Sequence, residues 1–525
     1  MARTRLFART RRALAIARRI QGIPALPRAL TRRQALMLAA AAGAAACVTK
    51  SKPDAPKGPV AIVGGGVAGL TVAYRLVEAG REVTLYEASP RFGGRMFTKR
   101  NFTAEGQFCE LGGELVDTGH EALMGLAEEL GVGIERLAPE DDPGEDVYDI
   151  DGEVYRLKDF IDPATGTGAF FPLARVIAAD QAALLDEDEN WTERARELDA
   201  MTLEAYLASL APLTTPWAIK SLDLAYLGEY GLKTSEQSAL NLIDVIGAET
   251  EDEFAVYGDS DEAFRVSGGS SSLPDALVAA IGARAAMNAK HEFLAIAPDD
   301  TGFRLSFKRP EGPVEARAEE VVFALPFTKL RQTQGLDSLG LSGEKLAAIR
   351  ELGYGTNAKL MVGTKSRPWT EPRNSLPILS GVVYSDRGFQ CAWETSRGQK
   401  GKGGIVTNFL SAEAGFGDEA GAYATFENGV EGLAPHVSAS FDPKTRISMF
   451  WPRHPYALGS YSSPKPGQYT TLLDVAGTPE LSGRLHFAGE HTSPEYLGFM
   501  NGAVDSGERV AREILSGVSE ATLRR

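Results

Sequence analysis

The chain has 525 residues, of which 43% are hydrophobic and 24% charged, the balance of a folded protein of about two or three domains and not of a disordered one. Residues 1–50 carry eleven Lys and Arg and no Asp or Glu, so removing those eleven positive charges from the formal net of −15 leaves −26 on residues 51–525. A body that acidic is a poor match for nucleic acid and mildly favours the approach of small cations, although acidity also serves solubility alone.

In TRRQALMLAAAAGAAACVTK the twin arginines Arg32 and Arg33 precede an apolar stretch from Ala35 to Ala46 and then small residues. This is the layout of an export signal, and it is too short for the roughly 20 apolar residues that span a bilayer as a helix. Export across the cytoplasmic membrane by the twin-arginine route, which carries folded proteins, is therefore expected for residues 1–50. Lipidation of Cys47, and with it membrane attachment, is the lesser alternative, because AAAC47 only loosely matches an attachment site. Cys109 and Cys391 allow at most one disulfide, and no Cys/His cluster has the spacing of a metal site.

After a linker at residues 51–59 comes VAIVGGGVAGLTVAYRLVEAGREVTLYEASPRFGGR. VAIV has the composition of a buried strand, Gly64, Gly66 and Gly69 form a GxGxxG turn, Leu70, Ala73 and Leu76 share a helix face, and EVTLY is a second strand ending at Glu87. Strand, turn, helix, strand and acid in that order predict a dinucleotide site. The glycines let the backbone approach a pyrophosphate at the helix N-terminus, and the carboxylate accepts hydrogen bonds from ribose hydroxyls. A second glycine pair, Gly93 and Gly94, followed by Arg95, adds another close approach with a cation for the phosphates.

With GxGxxG, Glu87 and GGR in hand, the sequence resembles the flavin-containing amine oxidase superfamily, whose members include monoamine, polyamine and L-amino-acid oxidases. The resemblance recurs in CELGGELVDTGH, where Gly112 and Gly113 match a turn at the reactive edge of the flavin, in LDAMTLEAYL, RVSGGSSSLPDAL and VVFALP, and most distinctively in RLHFAGEHTSPEYLGFMNGAVDSGERVAREIL. In the last of these, the resemblance implies a strand ending at Gly489 and Glu490, with Glu490 on the ribityl chain. It also implies a helix starting near Met500 aimed at the electron-accepting end of the flavin. Asp199 or Thr202 is expected to cap the helix begun by LEAYL.

The implied fold is α/β: a doubly wound, Rossmann-like FAD domain built from discontinuous segments (51–115, 263–330, 456–525), interleaved with an α+β substrate domain whose helical part is 116–262 and whose sheet part is 331–455. Residues 135–190 and 370–445 find no match. In TNAKLMVGTKSRPW the resemblance makes Lys359 the residue that holds a water beside flavin N5, against the plain alternative of an edge-strand lysine reaching solvent. In FWPRHPYALGSYSSPKPGQ, Trp451 stands nine residues before Ser460, the position of a flavin-linked cysteine in some relatives. Serine cannot form that thioether, so FAD is expected to be non-covalent. Tyr461 and Phe499 are matched to the aromatic pair beside the substrate, with core packing as their alternative.

The resemblance implies FAD-dependent oxidation of a small-molecule amine with oxygen as acceptor and hydrogen peroxide as product. L-amino-acid oxidation is the first alternative. It is disfavoured because GGELVD offers Glu114 and Asp117 where many amino-acid oxidases have an arginine, although both acids have capping or solvent exposure as equal explanations. A flavin-dependent isomerase or desaturase of an apolar substrate, a binding module, and assembly as a homodimer are the remaining alternatives. His491 is read as a positioning or packing residue.

Overall fold

The computed structural model describes residues 58–137, 144–370, 379 and 381–517, so Arg32, Arg33 and Cys47 lie outside the described residues. Five parallel strands form the first sheet, in the spatial order Ala286–Asn288, Val83–Tyr86, Val60–Val63, Glu320–Phe323, Leu485–Phe487. Every residue of Val60–Val63 and of Glu320–Phe323 is buried, as expected for strands covered on both faces. In chain order the arrangement is 3-2-1-4-5, so its direction reverses between Val60–Val63 and Glu320–Phe323. A doubly wound sheet opens its ligand crevice at that point, outside the carboxyl ends of the strands.

Helices close the sheet. Val67–Glu78 follows the first strand, and Gly69 allows its close seating: a Cβ there would stand 2.1 Å from the Gly64 carbonyl oxygen. Met500–Ser516 packs along that helix, where a Cβ on Gly507 would come within 2.7 Å of the Ala68 carbonyl oxygen. Among the described residues no helix is long and apolar enough to cross a membrane.

The second sheet has seven strands, ordered Phe441–Phe450, Ala358–Thr364, Ile405–Leu410, Gln390–Glu394, Val383–Ser385, Val147–Ile150, Glu153–Arg156. All neighbours are antiparallel except Val383–Ser385 with Val147–Ile150. One expectation is corrected here. Residues 116–262 are not purely helical, because residues 147–156 complete this sheet. The unmatched stretch 370–445 likewise supplies three strands and the helix Glu419–Leu433.

Ala358–Thr364 is an inner strand with a partner on each side. Ala358, Leu360 and Val362 pack with Tyr423, Phe426 and Val430 of the covering helix, while Met361 packs with Cys109 and Leu111 of the first FAD segment. Alternation therefore points Lys359, on the face of Met361, toward the nucleotide-binding half of the molecule.

Thr202 caps Leu203–Leu210 by accepting from Ala205 N at 3.1 Å. Asp199 instead accepts from Tyr469 N and Thr470 N, at 3.2 and 2.8 Å, at the start of the helix Tyr469–Ala476, and so ties the substrate domain to the last FAD segment.

Candidate active site

A cavity of about 380 Å³ extends from the carboxyl ends of the parallel strands to the second sheet. On the glycine-rich side it is lined by Gly64, Gly66, Glu87, Gly93, Gly94 and Arg95. Gly64 has φ +113°, and a Cβ there would meet the Ala324 carbonyl oxygen at 2.4 Å, so only glycine makes this turn. Gly66 caps Val67–Glu78 without a side chain, leaving the first N–H groups of the helix available to a phosphate. Gly69 does not line the cavity; its role is the helix–strand packing described above. The Glu87 carboxylate accepts from Gly65 N at 2.8 Å and Ser89 N at 2.7 Å, which fixes it at the end of its strand. Arg91, which sequence reasoning passed over, also lines this side and donates to the backbone carbonyls of Phe92 and Met96.

The middle of the cavity brings together pieces distant in sequence. Glu490 accepts from Arg95 Nη1 at 3.0 Å, Ser462 N at 3.2 Å and Gly498 N at 2.9 Å, and also from the Ser462 hydroxyl. Burial alone would raise its pKa, but the Arg95 guanidinium and these donors hold it below the usual range. Glu490 lines the cavity, where the resemblance expects it beside a ribityl chain, and it also ties three chain segments together. Gly489, at φ +135°, lines the cavity beside it.

Gly112 and Gly113 form a backbone wall. A Cβ on Gly112 would lie 1.8 Å from the Arg95 carbonyl oxygen, and one on Gly113 would lie 2.6 Å from Met500 Sδ. Trp451 braces this turn, donating from Nε1 to the Leu111 carbonyl at 2.9 Å. The helix Met500–Ser516 starts at the cavity with Phe499 as an N-cap that makes no side-chain hydrogen bond, so its positive end faces the lining of Gly113 and Met500. Two glycine turns, two helix N-termini without side-chain caps, and an acid at the end of the second strand fit a flavin dinucleotide lying across the switch point.

Beyond this wall, Lys359 reaches the cavity from the second sheet. It is 3% exposed, and its Nζ donates to Glu114 Oε2 at 2.6 Å and to the Gly112 carbonyl at 3.1 Å. Glu114 accepts in addition from Trp393 Nε1 at 3.2 Å and from the Thr395 hydroxyl. Burial would raise the Glu114 pKa, but the Lys359 ammonium and these two donors hold it below the usual carboxylate range. Glu114 is therefore neither a helix cap nor a solvent-exposed acid. Asp117 is buried too, accepting from Ser260 Oγ and Glu262 N, both at 2.9 Å, and pairing with His120.

Tyr461 and Phe499 both line the cavity. The Tyr461 hydroxyl donates to the Glu229 carbonyl, and Phe499 stands edge-on to His120 with ring centroids 5.1 Å apart. Ser460 donates to Asn357 Oδ1. Sequence reasoning missed Glu229, Tyr257, Glu262, Trp393 and Phe409, which complete the chamber. Burial and nearby Asp117 push Glu229 up to about 7, while burial followed by Glu229 and Asp117 pushes Glu262 up to about 8. Glu262 holds φ +43°, a conformation uncommon outside glycine. No local pattern marks these residues: Glu229 looks like an ordinary acid in the last turn of Pro216–Tyr230, and Glu262 like one more charge in an acidic loop. His491 lies outside the lining, packed on Phe327 at 4.3 Å, and burial pushes its pKa down to about 3.

Residues 67–515 match the family model for flavin containing amine oxidoreductases. The chain is 24% identical over 481 residues to a putative L-amino-acid oxidase of Bacillus subtilis, covering 87% of this chain and 94% of that one. To the flavin-containing amine oxidase B of Sus scrofa it is 25% identical over 483 residues, covering 88% and 86%. Among solved structures, a putrescine oxidase bound to putrescine superposes with a TM-score of 0.71 at 23% identity, over 87% of this chain and 99% of that one. Cyclohexylamine oxidase from Brevibacterium oxydans gives 0.68 at 19% identity over the same shares. With the geometry of the nucleotide cradle, the match across residues 67–515 identifies the chain: it belongs to the flavin-containing amine oxidoreductases, with FAD as its cofactor.

Proposed function

We propose that this protein oxidises a primary or secondary amine to an imine, which hydrolyses to an aldehyde or ketone plus ammonia or amine, with oxygen reduced to hydrogen peroxide. One observation carries the choice of substrate: the chamber bears the carboxylates of Glu229 and Glu262, whereas the arginines lining the cavity, Arg91 and Arg95, belong to its glycine-rich side. A carboxylate-bearing substrate is best held by a guanidinium fork, and two half-buried acids disfavour it. They favour an entering ammonium, and they also speak against an apolar lipid.

When bound, FAD supplies the two-electron acceptor for the C–H bond next to nitrogen and returns those electrons to oxygen. The chain's own residues prepare that encounter. Tyr461 and Phe499 orient the amine between aromatic faces and exclude water. Above about pH 7 to 8, where they are ionised, Glu229 or Glu262 accepts the ammonium proton, leaving the nitrogen lone pair free. Lys359 uses two of its three N–H donors on Gly112 and Glu114, which leaves one for a water in the cavity. With Ser460 tied to Asn357, FAD is held without a covalent bond. Delivery across the cytoplasmic membrane by the twin-arginine route belongs to the same proposal, motivated by Arg32, Arg33 and the short apolar run after them.

A panel of amines and L-amino acids assayed for peroxide, with anaerobic bleaching of the flavin as control, tests the reading. Amines are expected to bleach and turn over, and acid precipitation to release all the yellow colour. Turnover of L-amino acids alone would reverse the substrate choice, and colour retained in the pellet would disprove the non-covalent mode.

A further inference from the structure

We propose that Glu114 is a positioning residue that fixes the Lys359 ammonium in the cavity wall and thereby governs how fast the reduced enzyme passes electrons to oxygen. The inference rests on the oxidase reading for the identity of the acceptor, but not on any particular amine.

The need for Glu114 starts in the strand. The cross-strand neighbours of Lys359 are Phe409 and Met449, and its chain neighbours are Ala358 and Leu360, so its own sheet gives the ammonium no anion. An ammonium in that setting is costly unless it is paired, and unpaired it loses its proton. The anion comes from Glu114, on the loop that follows the Gly112–Gly113 wall, at 2.6 Å. Its second oxygen is taken by Trp393 Nε1 and the Thr395 hydroxyl, so it cannot turn away without abandoning two donors. Trp393 also places its ring beneath the ammonium, 5.4 Å from Nζ.

The functional consequence is electrostatic. Oxygen takes two electrons and two protons from the reduced cofactor to become hydrogen peroxide, and negative charge develops on it along the way. A fixed cation at the cavity wall stabilises that charge without reorganisation. Lys359 can serve only while it stays charged and in place, and Glu114 secures both.

The test needs no amine. Holoenzyme is reduced with dithionite under argon and mixed with oxygenated buffer in a stopped-flow instrument across a range of pH. Glu114→Gln is expected to slow reoxidation by about tenfold above neutral pH and less below it, because the isolated ammonium deprotonates as pH rises. Lys359→Met is expected to slow it at every pH, and the double variant to be no slower than Lys359→Met alone. The visible flavin spectrum of Glu114→Gln is expected to titrate with pH, and that titration to vanish in the double variant. Glu114→Asp, which restores the anion, is expected to remove the pH dependence.

A reoxidation rate for Glu114→Gln equal to wild type throughout, or effects that simply multiply in the double variant, would overturn the proposal. If Glu114→Gln cannot retain FAD, Thr395→Val keeps both charges and loosens the carboxylate; it is expected to slow reoxidation several-fold, and an unchanged rate there is equally fatal. A wild-type enzyme that no amine bleaches would refute the substrate assignment and leave this measurement interpretable.

Discussion

Lys359 shows how a single side chain is decided by partners far away in sequence. Periodicity alone favours a lysine reaching bulk solvent, yet it is buried, on an inner strand, and bonded to a carboxylate 245 positions earlier. Glu229 and Glu262 are the complementary case, acids whose pKa values burial raises to about 7 and about 8, with the Arg397 guanidinium only partly opposing the rise at Glu262. A carboxyl whose pKa is raised in the folded state binds more protons there than in the unfolded chain, where it titrates near 4.5. Its contribution to stability is therefore fully present below about 4.5 and falls as pH rises through about 7 to 8. Glu229→Gln with Glu262→Gln is expected to flatten that part of the stability–pH curve, measured by urea unfolding in parallel with wild type. The same variant is expected to raise KM for amines at pH 8 by more than about tenfold, as an ammonium loses its counter-charge. A slope identical to wild type would show that the two acids are not proton-bound at neutral pH.

Elements, not single residues, build the nucleotide-binding side of the cavity. Val67–Glu78 and Met500–Ser516 both begin at the cavity without side-chain caps, and the Leu111–Gly113 turn closes the wall between them. That turn tolerates no added atom, since a Cβ on Gly112 would come within 1.8 Å of backbone at Arg95 and 3.2 Å of Trp451. Backbone cannot yield as a flexible side chain can. Gly112→Ala is therefore expected to lower the FAD content of purified protein at least several-fold, read from the ratio of visible to ultraviolet absorbance, with the circular dichroism of the fold preserved. Full flavin content in that variant would mean that the turn moves without touching the site.

At the scale of the whole molecule, the cavity is lined from the ends of Val60–Val63, Val83–Tyr86 and Glu320–Phe323 in the parallel sheet, from the C-terminal segment and from the seven-stranded sheet, so it lies where the two halves are joined. A cofactor bound across such a junction stabilises both halves by mass action, about 2.7 kcal/mol at a hundredfold excess over its Kd. A protein of this kind is best exported after the cofactor is in place, which is the physical rationale for a twin-arginine signal. Residues 1–50 fused to a reporter that must fold before translocation are expected to carry it across the membrane, and Arg32→Lys with Arg33→Lys to block this. A reporter left in the cytoplasm despite intact arginines would contradict that route.

The sequence by itself determined the nucleotide half. GxGxxG, Glu87 and GGR are local devices whose function follows from backbone geometry within a few residues, so Gly64, Gly66, Gly93 and Gly94 stand where their spacing places them. Gly69 differs only in serving the packing rather than the lining. Even the start of the last helix, at Met500, is legible from its approach. The substrate chamber was decided only by tertiary structure. The sheet strands at residues 147–156, the partner of Lys359, the engagement of Glu490 by Arg95 and Ser462, and the acids Glu229 and Glu262 all depend on which distant segments come together. A carboxylate in sequence does not state whether it faces water, a lysine or a cavity; burial and neighbours set that, and both are properties of the folded chain.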